Sequence, residues 1–250
     1  MRRFFKTAVW AVVLVLVAGC SARPQNLTQL GPEQLFERAT ALLNDHKWTE
    51  AIAAFEHFVL QYPTHPRVQE ARFRLAEGYF GKKEYITSGN EFSRLANDYP
   101  AGPYADDARF RVCESYYRLS PKTQLDQQYT KSAYEHCESL IAYFPQSEFV
   151  TRAREMMVEL RNKLADKEFQ AGEFYFKRSA FDSAIIYYEA TVRDYADTAH
   201  APRALARLIE IYQALGYKEE EQTTRDRLLK DYPDSPQARA LQQSPAATNP

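Results

Sequence analysis

Glycine is scarce, eight residues in 250, and the chain has three cysteines and two tryptophans. So little glycine leaves poor raw material for a phosphate-cradling loop or for the sharp turn that exposes a serine nucleophile, and the sequence contains neither motif. The five histidines, His46, His57, His65, His136 and His200, fall in no HExxH-type spacing, and the cysteines form no CxxC pair. No metal site follows from such spacings. Carboxylates are plentiful, yet nothing in the pattern holds two of them in an evident cleft, so no catalytic residue is assigned and no cofactor is expected.

Charge of one sign is also missing. Lys and Arg number 32 against 33 Asp and Glu. Without a concentrated basic patch the phosphate-binding contribution to nucleic-acid affinity has no source, so no nucleic-acid partner is expected. A long hydrophobic run is lacking too: the uncharged stretch from Thr7 to Gly19 is thirteen residues, whereas a bilayer core takes about twenty.

That short run follows a basic start, Arg2, Arg3 and Lys6, and ends in Val17-Ala18-Gly19-Cys20. Basic residues, a short apolar stretch and small residues before a cleavage point make a secretory signal. The four-residue ending resembles the lipobox of bacterial lipoproteins; the plainer reading is an ordinary signal with a chance cysteine. The resemblance implies removal of residues 1–19, and diacylglycerol on the Cys20 thiol with an N-acyl chain on its freed amine. Two or three acyl chains would hold the protein at a membrane, since each buried methylene contributes about 0.8 kcal/mol. Ser21, where an inner-membrane lipoprotein would carry Asp, implies the outer membrane. The processed chain keeps 29 of its 32 basic residues, with all 33 acidic ones, and the cysteines Cys113 and Cys137.

What the sequence does have is a repeat. Tyr62-Pro63, Tyr99-Pro100, Phe144-Pro145, Tyr195-Ala196 and Tyr232-Pro233 are spaced by 37, 45, 51 and 37 residues. Each closes a stretch of helical pattern, because proline cannot continue a helix and restrains the residue before it. A second helical stretch precedes each, and residues 70–80 and 106–117 share ARFR in one register. The unit is helix, turn, helix, and stacking is needed because one hairpin cannot bury its apolar face alone.

The positions Ala39, Leu42, Ala51, Phe55 and Pro63, and again Gly172, Tyr175, Ala184 and Tyr188, resemble tetratricopeptide repeats. The expected fold is all-α, a right-handed solenoid of five such hairpins. Ser88 departs from the pattern in the second repeat, and Glu221 and Arg225 depart in the fifth as suits a solvated cap. Residues 118–128 read as a loop inserted in the third repeat. A proline-free stretch reads as one helix over 148–177. The expected organisation is signal 1–19, lipidated flexible tether 20–32, repeats one to three over 33–147, long helix and repeats four and five over 148–236, and disordered tail 237–250.

Positions one turn apart on the first helices are expected to line the concave face: Phe36 and Leu43; Phe73, Glu77 and Phe80; Phe110, Glu114 and Tyr117. Rings and carboxylates at that spacing suit an extended peptide with aromatic side chains; the alternative is ordinary core. Arg74 and Arg111 recur in one register and either pin a terminal carboxylate or serve in salt bridges. Cys113 and Cys137 face one seam, either as a disulfide closing about 25 residues or as two buried thiols.

Lipobox, five repeats ending in FVLQYPTHP-like segments, a third-repeat insertion and the stretch AFDSAIIYYEATVRDYADT together resemble the BamD family, lipoproteins of the outer-membrane β-barrel assembly machine. The resemblance covers about residues 30–235. It implies a non-enzymatic scaffold on the periplasmic face, whose partners are the periplasmic domains of the barrel-forming subunit, other assembly lipoproteins and unfolded β-barrel proteins. A second resemblance, to the Tol-Pal-associated periplasmic factor, shares the Tyr-Pro endings but lacks a lipobox and adds a coiled coil. An enzyme of cell-wall metabolism on a helical solenoid is the remaining class, and no nucleophile or metal constellation supports it.

Overall fold

A computed structural model describes residues 27–243; Cys20, the signal, most of the tether and the tail from 244 lie outside the described residues. After a 3-10 turn at Leu27–Gln29, five hairpins follow: α1 (Pro32–Asn44) with α2 (Trp48–Gln61), α3 (Val68–Gly81) with α4 (Tyr85–Asp98), α5 (Ala105–Leu119) with α6 (Gln128–Tyr143), α7 (Val150–Phe176) with α8 (Phe181–Asp194), and α9 (His200–Leu215) with α10 (Lys218–Asp231). A short α11 (Pro236–Gln243) closes the stack, which corrects the disordered tail expected from 237: Ala238 is buried in the last core cluster and holds the turn in place. Each helix packs on the next, and among the described residues there is no strand.

The two kinds of turn repeat atom for atom. Every second helix ends at the aromatic residue before the proline: Tyr62, Tyr99, Phe144, Tyr195 and Tyr232 each donate N–H to the carbonyl four residues back and accept from the residue three ahead. Ala196, standing where the others have proline, leaves this geometry unchanged, with Tyr195 at φ −132° and Tyr232 at −134°. Inside four hairpins the first helix ends in a left-handed residue: His46, Lys83, Ser179 and Gly216. The residue after each donates back to the carbonyl five positions earlier, as Lys47 does to Leu42 at 2.9 Å and Glu84 to Tyr79 at 2.9 Å. That pairing satisfies carbonyls a helix end leaves orphaned.

Hairpin three has no such turn. Residues 120–127 form a loop gathered around the buried Gln127 amide, whose Nε2 donates to the carbonyls of Lys122, Thr123 and Leu125. Lys163 and Lys167 of α7 hold the loop from outside, donating to Ser120 Oγ and the Gln124 carbonyl.

Each interior first helix serves two cores. Ala71 and Leu75 of α3 pack with the first hairpin, whereas Phe73 and Ala76 pack with α4 and α5. The long helix α7, about 40 Å at 1.5 Å per residue, gives Ala153, Met156 and Leu160 to a cluster with α5 and α6, and Phe169 to one with α8 and α9. Cys113 and Cys137 are joined by a disulfide between α5 and α6, Cα atoms 4.8 Å apart.

Candidate functional site: a groove on the first helices

The recurrent phenylalanines decide what is groove and what is core. Phe36, Phe73 and Phe110 are 1–4 % exposed, so these three expected peptide contacts are corrected to core positions. The reason lies in the next hairpin: its helix-preceding residue closes over each ring. The Arg67 guanidinium carbon sits 3.4 Å from the Phe36 ring centroid, Tyr104 packs 5.2 Å from Phe73, and Phe149 stacks on Phe110 at 4.8 Å. A fourth ring, Phe169, is met by His200 at 5.6 Å. These rings seal hairpin to hairpin through aromatic and cation–π contacts.

One turn further along, the same helices carry a charge ladder. Arg74 Nη1 donates to Glu77 Oε2 at 2.8 Å, and Arg111 Nη2 reaches Glu77 Oε1 at 3.3 Å. Arg111 also meets Glu114 at 2.9 Å and Asp107 at 3.6 Å, and Arg152 of α7 donates to Glu114 at 2.8 Å. Glu114 is therefore a buried carboxylate enclosed by guanidinia, and not a free groove contact. The pattern returns near the C-terminus, where Arg207 of α9 donates to Glu173 of α7 at 2.7 Å. Tyr188 donates to the same carboxylate at 2.7 Å, and the arginine and tyrosine hold it below the ordinary range although burial opposes this. Burial pushes Asp107 the other way, up to about 6, against the pull of Arg111.

At the last turn of the first helices the groove opens. A cavity of about 360 Å³ has Leu43, Trp48, Arg74, Glu77, Phe80 and Arg111 in its lining, together with the turn residues Asn44 and His46 and with Gly81. Leu43, Glu77 and Phe80 line this one cavity, while Tyr117 is not among its lining residues and donates to Glu159 of α7. Arg74 Nε is buried and has no hydrogen-bond partner among the described residues. Trp48, which sequence reasoning missed, begins a second helix and lies against Gly81, where a Cβ would stand 2.7 Å from the indole. The signal for it was the tryptophan itself, two residues past the turn at His46.

A second groove of about 480 Å³ runs between α8 and α10, floored by Val192, Leu205 and Leu208 and edged by Arg193, Thr224 and Arg227. It is open because α10 buries a single residue, Leu228. Among the described residues no group of three or more His, Cys, Asp or Glu is placed to hold a metal, and no helix is long and apolar enough to cross a membrane.

Stacked hairpins with a groove along their first helices define a helical-repeat protein of the tetratricopeptide type. The family model for YfiO, described as an outer membrane lipoprotein, matches residues 28–228, and the chain belongs to that family. It is similar to the outer membrane protein assembly factor BamD of Vibrio cholerae, 24% identical over 223 residues that cover 85% of this chain and 92% of the relative. It is likewise similar to the BamD of Rickettsia prowazekii, 26% identical over 225 residues, 90% of each. Among solved structures, the TPR2AB domain of yeast Sti1 in its pHSP90 complex aligns with a TM-score of 0.47 and 14% identity, over 83% of this chain and 80% of that one.

Proposed function

We propose that this protein is a non-enzymatic scaffold lipoprotein of the machinery that assembles β-barrel proteins into the outer membrane. Cys20 carries the diacylglycerol and N-acyl chain that hold it to the periplasmic face. The first three hairpins receive unfolded β-barrel chains, and the groove between α8 and α10 belongs to the half that binds periplasmic domains of the barrel-forming subunit, with other assembly lipoproteins as further partners. The observation that carries the reading is the family match across 28–228, joined by relatives that are themselves assembly factors. The two separate grooves support it by offering one surface to a transient chain and another to a lasting partner.

The test is affinity purification of the tagged protein from solubilised membranes beside a Cys20→Ala strain. A large β-barrel protein with periplasmic repeats is expected to co-purify, with loss of membrane retention in the variant. Recovery of Tol-Pal components instead would overturn the assembly role. Retention unchanged without Cys20 would overturn the anchor.

A further inference from the structure

The chain enters the stack at one corner of the first hairpin. Residues 27–32 meet the end of α2, where the Tyr62 hydroxyl donates to the Leu30 carbonyl at 3.3 Å and Leu27 and Leu30 pack on the first core. Together with the stretch from His57 to Pro66 they make a corner that contains no Lys, Arg, Asp or Glu. In a chain that is 26% charged this is a local exception, since the same ten positions around Tyr99, Phe144, Tyr195 and Tyr232 each include at least one such residue. The charges that border the corner are answered within the protein. Glu33 meets Arg67 and His65, each at 3.3 Å, and Glu56 accepts from the Tyr79 hydroxyl at 2.6 Å.

Leu60 stands at this corner 76 % exposed, the highest value for a large apolar side chain among the described residues. A single exposed leucine needs no explanation. Its position does: two residues before the closing aromatic, the other hairpins carry Asn97, Ala142, Arg193 and Lys230, polar or small as suits a helix face in water. An apolar side chain amid uncharged neighbours can leave water without stripping any charge of its hydration.

Covalent geometry says what lies within reach. Cys20 and Leu27 are seven residues apart, a separation that spans at most about 25 Å. Held that closely, a surface faces its neighbour at an effective concentration on the order of millimolar, so a contact too weak to form from solution becomes populated.

We propose that the corner of 27–32 and 57–66 rests on the lipid surface that holds the anchor, with Leu60 entering the headgroup layer. This rests on the reading that Cys20 is acylated. The contact fixes which end of the stack faces the bilayer, whereas the acyl chains alone would leave the protein free to turn about its tether.

The test reconstitutes the acylated full chain into vesicles of phosphatidylethanolamine and phosphatidylglycerol that include lipids with a nitroxide at the headgroup. An environment-sensitive dye is placed on the thiol of Gln61→Cys, or of Tyr217→Cys in the last hairpin; the native pair Cys113–Cys137 is bonded and buried. Emission at position 61 is expected to fall about twofold, because an interfacial side chain sits roughly 5–10 Å into the headgroup boundary, and emission at 217 is expected to stay unchanged. Leu60→Glu added to the first variant should abolish the quenching while the vesicles retain the protein as before. Persistent quenching in Leu60→Glu would overturn the inference, since lipid would then meet the corner without that side chain. Equal quenching at 61 and 217 would overturn it too, by showing the whole stack lying on the bilayer. If neither position is quenched while the vesicles retain the protein, the inference falls and the anchor stands. If the vesicles do not retain it, both fall.

Discussion

Single residues carry two of the tests this structure invites. Ser179 holds φ +57° in the turn after α7, exposed and with its N–H bonded to Phe176 at 2.9 Å. A non-glycine residue pays about 1–2 kcal/mol for the left-handed region, partly offset by glycine's greater freedom in the unfolded chain. Ser179→Gly is therefore expected to gain about 0.5 kcal/mol in denaturant unfolding, and a loss would mean the side chain supports the turn in some other way. Asp107 gives a pH dependence. Burial raises its carboxyl to about 6, with Glu77, Asp106 and Glu148 adding to the rise and Arg111 opposing. The folded protein thus binds this proton more tightly than the unfolded chain, so the associated stability is present at pH 4 and lost as pH rises through 6. Asp107→Asn should melt above the unaltered protein at pH 7.5, with the gap closing toward pH 4; a gap independent of pH would contradict the assignment.

Helices and their ends tell which parts of this fold are written in the sequence. Second helices were legible because proline is a chemical stop, and the long helix expected at 148–177 is α7 at Val150–Phe176. The turns inside hairpins were not legible: three of the four left-handed positions are His46, Lys83 and Ser179, where glycine would have marked them. Register placed Glu77, Phe80 and Leu43 at the groove but could not tell that Arg67, Tyr104 and Phe149 would cover the phenylalanines one turn earlier. Covering is decided by the neighbouring hairpin, and periodicity along one helix carries no information about it. Trp48 was missed because only first helices were taken to line the groove. The Cys113–Cys137 bridge belongs to this scale, since it ties α5 to α6 in the one hairpin whose turn was replaced by a loop. Closing about 25 residues should contribute about 3 kcal/mol. Reductant, or Cys137→Ala, is expected to lower stability by that order in denaturant melts. No change on verified reduction would mean that packing of α5 on α6 suffices.

Across the whole molecule, stability should run along the stack and not sit in one place, because each hairpin is held by its neighbours. The centre is held in three ways: the disulfide ties α5 to α6, the Glu114 ladder ties α5 to α7, and all three helices meet in the cluster around Phe110 and Leu160. The C-terminal end is the reverse: α10 presents Glu221 and Arg225, paired to each other at 2.8 Å, where other repeats bury small and aromatic residues, and its buried anchor is Leu228. A polar inner face keeps the last repeat soluble at the expense of its hold on α9. Amide hydrogen exchange should accordingly open α10 and α11 first and α5 to α7 last. Leu228→Ala, costing about 2–3 kcal/mol locally, should speed exchange in α9 to α11 while leaving the disulfide-bonded hairpin as protected as before. Equal loss of protection in both regions would mean that the chain unfolds as one unit, and the stack would then have to transmit stability through α7 from one end to the other.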